Sequence, residues 1–164
     1  MSALVLRSLK PVLAAATVAV VVALLGAFVT DLGPWYYDLT KPDWQPPDWL
    51  FGPAWTLIFG LAAAAGVSAW RGARASSTRT RIITLFALNI FLNTLWSVLF
   101  FRLHRPDWAL AEVTFLWLSI VALMHGLWSS SRLASWLLTP YLAWVSFAAV
   151  LNFTIVTLNA PFAT

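Results

Sequence analysis

Apolar residues run along the chain in five long blocks, approximately 12–29, 51–70, 82–101, 109–128 and 136–158, separated by short stretches rich in polar residues, proline or arginine. Each block has about the 17–25 residues needed to cross a ~30 Å hydrocarbon core as a helix. In lipid every backbone N–H and C=O must find its partner within the spanning element, which leaves helices or closed barrels. Barrel strands would be half as long and would alternate apolar with polar, and these blocks do neither. The pattern predicts an all-α membrane protein, a single bundle of five transmembrane helices.

Composition agrees. Of 164 residues, 61% are hydrophobic and 10% charged, whereas a soluble fold carries about a quarter charged residues. Arg7 and Lys10 ahead of the first block resemble the start of a secretory signal, but its apolar run exceeds the usual 7–15 residues of such a signal core, so it reads as a span. Cysteine is absent, which removes disulfides, thiolate metal sites and thiol nucleophiles.

The loops set an expected orientation. Arg7 and Lys10, then Arg71, Arg74, Arg79 and Arg81, then Arg132 would share one side, seven basic residues against three (Lys41, Arg102 and Arg105) on the other. A basic excess marks the cytoplasmic side. The N-terminus is therefore expected inside, and the C-terminus and the 30–50 loop outside. The formal charge of +4 is mostly this bias, and no nucleic-acid partner is expected. Helix starts are expected at Gly52-Pro53 and at Thr139-Pro140, with Thr139 as N-cap and the proline in the first turn.

Eleven tryptophans follow the chain. Trp35, Trp49, Trp70, Trp108, Trp128 and Trp136 lie at block edges, where an interfacial belt explains them. Trp55, Trp96, Trp117 and Trp144 lie a turn or more inside. Asn89, Asn93 and Trp96 share one stripe of span three, and Trp144, Ala148 and Asn152 one of span five. Amides in hydrocarbon face the bundle interior. There they act as interhelical glue or line a pocket of aromatic walls and a few amides, suited to a large planar apolar ligand. The 30–50 loop would roof such a pocket: Pro42, Pro46 and Pro47 stiffen it, its tryptophans form a plate, and Asp38, Lys41, Asp43 and Asp48 keep one surface wetted.

Three blocks carry a family resemblance. Trp35-Tyr36-x-x-Leu39-x-Lys41-Pro42-x-Trp44-x-Pro46-Pro47, with Phe51 and Trp55 following, resembles the first-loop signature of the tryptophan-rich sensory protein/translocator protein family (TspO/MBR, peripheral-type benzodiazepine receptors). Asn93-Thr94-Leu95-Trp96 with Phe100-Phe101 resembles its third-helix motif. Pro140-Tyr141-Leu142-x-Trp144, Phe147-Ala148, Leu151-Asn152 and Leu158-Asn159 resemble its fifth. The resemblance implies a five-helix bundle, often a homodimer, with the first loop as a lid over a cavity that binds porphyrins such as protoporphyrin IX and haem, and benzodiazepine-type ligands. The matching pocket positions are Tyr36 and Pro46 in the loop, Trp55 on helix two, Asn93 and Trp96 on helix three, and Trp144 and Ala148 on helix five. Phe59 stands where relatives often carry tyrosine, and Ala63 where many carry glycine. The cholesterol motif of animal members, which follows helix five, finds no counterpart in Asn159–Thr164, and sterol binding is discounted.

Catalytic chemistry is not evident. No nucleophile triad or metal cluster stands out, and neither a catalytic residue, a metal nor a required cofactor is expected. His125, the one histidine within a span, reads as an interhelical or interfacial group ahead of a haem ligand, and His104 as a solvated loop residue. Glu112, about a turn into span four, is expected to pair with a loop arginine or lysine. Gly60/Ala64 and Ala62/Gly66 give span two small-xxx-small spacing for close helix packing. A tetrapyrrole-binding protein that senses or regulates porphyrin metabolism is the favoured reading. An alternating-access transporter comes second, lacking internal repeats or helices interrupted at the midplane; porphyrin breakdown is a further alternative taken from the resemblance.

Overall fold

The computed structural model describes residues 3–162, all in helices, turns and loops. The α-helices are α1 (Ala3–Val29), α2 (Pro34–Asp38), α3 (Phe51–Gly72), α4 (Ser76–Ser97), α5 (Pro106–Trp128), α6 (Arg132–Leu137) and α7 (Thr139–Asn159). A 3-10 turn, Asp48–Leu50, leads into α3, and a π turn, Val98–Arg102, ends α4. Five stretches are long and apolar enough to cross a membrane: Leu9–Val29, Asp48–Gly72, Ser76–Arg102, Pro106–Trp128 and Arg132–Asn159. The fold is a five-span helical bundle.

Each expected block falls inside one of these spans, and the differences lie at the ends. The helix of span one starts well before residue 12 and carries Pro11 within it. That of span three takes in Ser76 to Arg81. Hydrophobicity marks where lipid begins, and a helix can run on into water on residues that tolerate both. Thr139 is not an N-cap: α7 is capped by Leu138, in helical conformation and without a side-chain bond. The capping serine lies further back, where Ser131 Oγ accepts from Ala134 N–H at 3.1 Å to start α6. Pro140 stands in the first turn of α7, as expected, where its missing N–H costs no ladder bond, and Leu142 N–H donates to Leu138 O at 3.0 Å. Helices α6 and α7, separated by Leu138 alone, together make the fifth span.

The fourth span is the axis of the bundle. Its core stretch is 44% buried against 6% for the first span. From α5, Val113, Leu116, Ile120, Leu123 and Leu127 meet Ile58, Ala65 and Ala69 of α3, Ile82 of α4, and Tyr141 and Val145 of α7 in one core. Helix α5 packs along both α4 and α7, while α1 rests mainly on α3 and less on α4. The consecutive helices α3 and α4 touch little, and a space opens between them. The turn after α3 is pinned at Gly72, where a Cβ would run into the Ser130 carbonyl oxygen. Only glycine fits there.

The 30–50 loop lies against the ends of α4, α5 and α7. Tyr36 and Leu39 are buried with Phe100, Ala109, Leu151 and Ile155, and Trp44 meets Phe147 edge-on, centroids 5.9 Å apart. This end of the molecule is the loop end and the opposite one the far end.

Candidate functional site

A cavity of about 720 Å³ opens between α1, α3 and α4, closed at one end by Tyr141 of α7. Its walls are Ala14, Val18 and Val22 of α1, Phe59, Ala63 and Gly66 of α3, and Ile82, Phe86 and Ile90 of α4, among others. Side chains there are aliphatic or aromatic because those helix faces turn away from water. The alanines and Gly66 leave the volume that larger residues would fill. Polar groups touch it in two places. Lys10 stands at the far end, with Trp70; Asn89, Asn93 and the Tyr141 hydroxyl stand deep, near mid-span.

The deep group is a directional chain. Asn93 Nδ2 donates to the Tyr141 hydroxyl at 3.3 Å, and that hydroxyl donates to Asn89 Oδ1 at 3.2 Å. Asn89 Nδ2 donates to Ser119 Oγ at 2.8 Å, which donates in turn to the Leu116 carbonyl at 2.7 Å. Three helices are tied by it, α4, α5 and α7, so the amides serve as glue. Asn89 and Asn93 also present themselves to the cavity.

Of the seven residues expected from sequence, Asn93 lines this cavity and the other six do not. Trp55 stacks on Phe59 at 5.2 Å and meets Tyr141 edge-on at 6.0 Å, which sets it beside the deep end. Trp96 stacks on Phe100 at 5.2 Å. Trp144 packs against Phe51 and Phe147, each at 5.6 Å, and borders a smaller hollow of about 350 Å³ between α3 and α7. Ala148 is half-buried one turn along α7. The loop half of the bundle is thus filled by aromatic rings packed on one another, and the larger open volume lies below them.

In the loop, Pro46 is half-buried. Tyr36 donates to Asp48 Oδ1 at 2.8 Å, and Gln45 Nε2 donates to the Tyr36 oxygen and to Asp48 Oδ1, each at 3.3 Å. Lys41 Nζ sits over the Tyr36 ring, 3.8 Å from its centroid. Burial, and then the bond to Asp48, push the Tyr36 hydroxyl above the usual tyrosine range.

Other expectations resolve on contacts. Asn152, 1% exposed, is glue: with its amide oriented to suit its neighbours, it donates to Pro106 O and accepts from Leu110 N–H, both 3.1 Å. Trp117, partly exposed, donates from Nε1 to Ser146 Oγ at 2.9 Å across the outside of α5 and α7. His125 is exposed in the last turn of α5. His104 is exposed but not simply solvated, since its ring stacks on Trp35 at 4.2 Å. Gly60 and Ala64 are exposed, whereas Ala62 and Gly66 line the cavity.

Glu112 does not pair as expected. It is 5% exposed, and neither carboxyl oxygen has a hydrogen-bond partner. The nearby loop arginines are engaged elsewhere. Arg105 is held by Asp107, two residues on, with contacts of 2.8 and 2.5 Å, and Arg102 bonds the Phe28 carbonyl and lies 4.0 Å from Asp31.

The sequence that builds this loop and these five spans is matched among known proteins. The TspO/MBR family model covers residues 14–158. The chain belongs to the TspO/MBR family. It is 43% identical over 127 residues to the tryptophan-rich protein TspO of Chlorobaculum tepidum, covering 76% of this chain and 80% of that one. Protein CrtK of Rhodobacter capsulatus is 35% identical over 127 residues, 77% of this chain and 79% of CrtK. The human translocator protein is 30% identical over 122 residues, 74% of this chain and 72% of the relative. This TspO/MBR member is thus a multi-pass integral membrane protein, similar to proteins named as sensory or translocator proteins.

What sequence reasoning missed in this TspO/MBR chain is the part played by α1, by Phe59 and by Tyr141 in bounding the open volume. Tyr141 had a signal, the hydroxyl following Pro140 inside an apolar block. The α1 wall had none, because its small aliphatic residues look the same whether they face lipid or a cavity.

Proposed function

We propose that this membrane protein binds a large planar apolar molecule of the porphyrin class, protoporphyrin IX or haem, and acts through that binding as a sensor or regulator of tetrapyrrole metabolism. The observation that carries the reading is the cavity of about 720 Å³, apolar except at Lys10 and the Asn89–Asn93–Tyr141 group. Small-molecule sites run to roughly 300–1,000 Å³, mostly apolar, with a few polar groups that fix orientation. Asn93 is the hinge of the proposed site. The open volume lies below it, and the rings of Trp55, Trp96 and Trp144, with Ala148, Tyr36 and Pro46, form the loop-side part above.

The names of relatives fit a sensing or ligand-handling role, and no observation favours alternating access. The junction of α6 and α7 at Leu138 lies towards the far end of its span, not at the midplane.

The test is a titration of the purified protein in uncharged detergent with protoporphyrin IX, following tryptophan fluorescence. Trp70 lines the cavity and Trp55 borders its deep end, so quenching should saturate. Ala63→Phe, which fills the volume, should weaken binding about tenfold or more, and Trp55→Phe should weaken it less. Quenching that never saturates and is unchanged in Ala63→Phe would remove the reading.

A further inference from the structure

Among the described residues the cavity has one cation on its wall, and that cation is at the wrong end for a ligand hung from the tryptophan loop. Lys10 lines the far end, together with Trp70 and Ile82. No ion pair is recorded for it among the described residues. Across the opening the Trp70 ring carries Arg79 on it, guanidinium 5.1 Å from the ring centroid, so positive charge stands on both α1 and α4 around this mouth. At the deep end the chain from Asn93 through Tyr141 and Asn89 to Ser119 uses the Tyr141 hydroxyl proton and one N–H of each amide. No lysine, arginine or histidine lines that end.

Those two ends treat a carboxylate very differently. At the deep end it would be stripped of water with no counter-charge and only the second N–H of each amide to bond, which costs several kcal/mol. At the far end it keeps water on one side and gains a flexible ammonium on the other, with the lysine stem lying along apolar wall. A planar apolar body is accepted by the walls in either direction, and so the acid groups decide which way it enters.

We propose that Lys10 is an anchor for the acidic edge of the ligand: the cavity takes a planar amphiphile bearing carboxylates, oriented with those carboxylates at the far end, opposite the tryptophan- and proline-rich loop. This rests on the porphyrin-class reading above and adds to it the orientation, the ligand's charge and a residue of α1, a helix that the loop-centred site leaves out.

The experiment compares protoporphyrin IX with its dimethyl ester, which has the same macrocycle and no carboxylates, on the full chain in uncharged detergent. Wild type should bind the diacid about three- to tenfold more tightly than the diester. In Lys10→Met the two should bind alike, at the diester's wild-type affinity; in Lys10→Arg most of the preference should remain. Lys10 is exposed, and unchanged thermal midpoints will show that the variants fold. Saturable binding with equal affinities in wild type, or a preference that survives Lys10→Met, overturns the orientation and leaves the porphyrin-class reading standing. Saturable diester binding that Ala63→Phe does not affect places the macrocycle outside this cavity and also overturns it. If anionic lipid supplied in nanodiscs abolishes the diacid preference while neutral lipid preserves it, Lys10 serves lipid headgroups in a membrane, and the anchor is again overturned. Absence of any saturable binding defeats both proposals together.

Discussion

Asn159, the last residue of α7, brackets the backbone of Thr40 in the first loop: its Oδ1 accepts from Thr40 N–H and its Nδ2 donates to Thr40 O, both at 2.8 Å. Two residues 119 apart in sequence are joined as a strand pair would be, by one donor and one acceptor each. The loop is held down at this point by the end of span five, and at its middle by Trp44 on Phe147.

Release of that bracket is the first expectation. Asn159→Asp keeps the acceptor and loses the donor, and Asn159→Ala loses both. Each lost bond should cost about 0.5–1.5 kcal/mol. Because the contact is local, the effect should show as faster proteolysis or hydrogen exchange within 30–50, larger for Ala than for Asp, with little change in the bundle's thermal midpoint. Loop exchange identical to wild type in both would show that the bracket holds nothing.

Alkaline pH should loosen the same loop. Tyr36 is neutral and hydrogen-bonded in the fold, and its folded value is raised above the usual 10.0 by burial and by Asp48. For a group raised on folding, the stabilisation is complete below its unfolded value and is lost as pH climbs through the folded one. Loop protection should therefore hold up to about pH 10 and decline above it. Tyr36→Phe should be less protected at neutral pH and should lack this component of the alkaline decline, which exchange measured from pH 8 to 11 will reveal.

Two glycines give a graded pair. A Cβ at Gly72 meets backbone, the Ser130 carbonyl oxygen, which cannot move without shifting the turn between α5 and α6. A Cβ at Gly126 meets Leu85 Cδ1 at 2.5 Å, the tip of a side chain that can rotate. Gly72→Ala should cost about 1–3 kcal/mol or more and lower expression, and Gly126→Ala clearly less. Equal thermal midpoints for the two would contradict this packing.

Asn152 should be the costliest amide to remove. It is buried on α7 against the start of α5, bonded to Pro106 O and Leu110 N–H, so Asn152→Leu takes away two buried hydrogen bonds and leaves those groups only their own helical bond. A loss of about 1–3 kcal/mol is expected, against a smaller one for Asn93→Ala, whose side chain borders open volume. Thermal unfolding in detergent ranks them.

The five spans were legible because lipid imposes a blunt rule, about twenty apolar residues with few charges, and 51–70 and 109–128 obey it without ambiguity. Helix ends were less so, since residues such as Ser76 to Arg81 say where lipid stops without saying where the helix stops. The polar chain was half legible. Asn89 and Asn93 announce themselves as amides in an apolar block, but the partner hydroxyls of Ser119 and Tyr141 lie on other helices, and no spacing rule links those. Glu112 misled because Arg102 and Arg105 looked free in sequence, while Asp107 and the end of α1 had claimed them. The open volume itself was illegible: it depends on α3 and α4 standing apart, a distance that neither helix encodes alone.

Helix α1 walls the cavity while contributing almost nothing to the shared core. Of the spans that wall the chamber, this one has the least of its surface buried in the bundle. A guest already dissolved among acyl chains would then arrive by diffusing within the plane of the sheet, never passing through bulk water or beneath the aromatic loop.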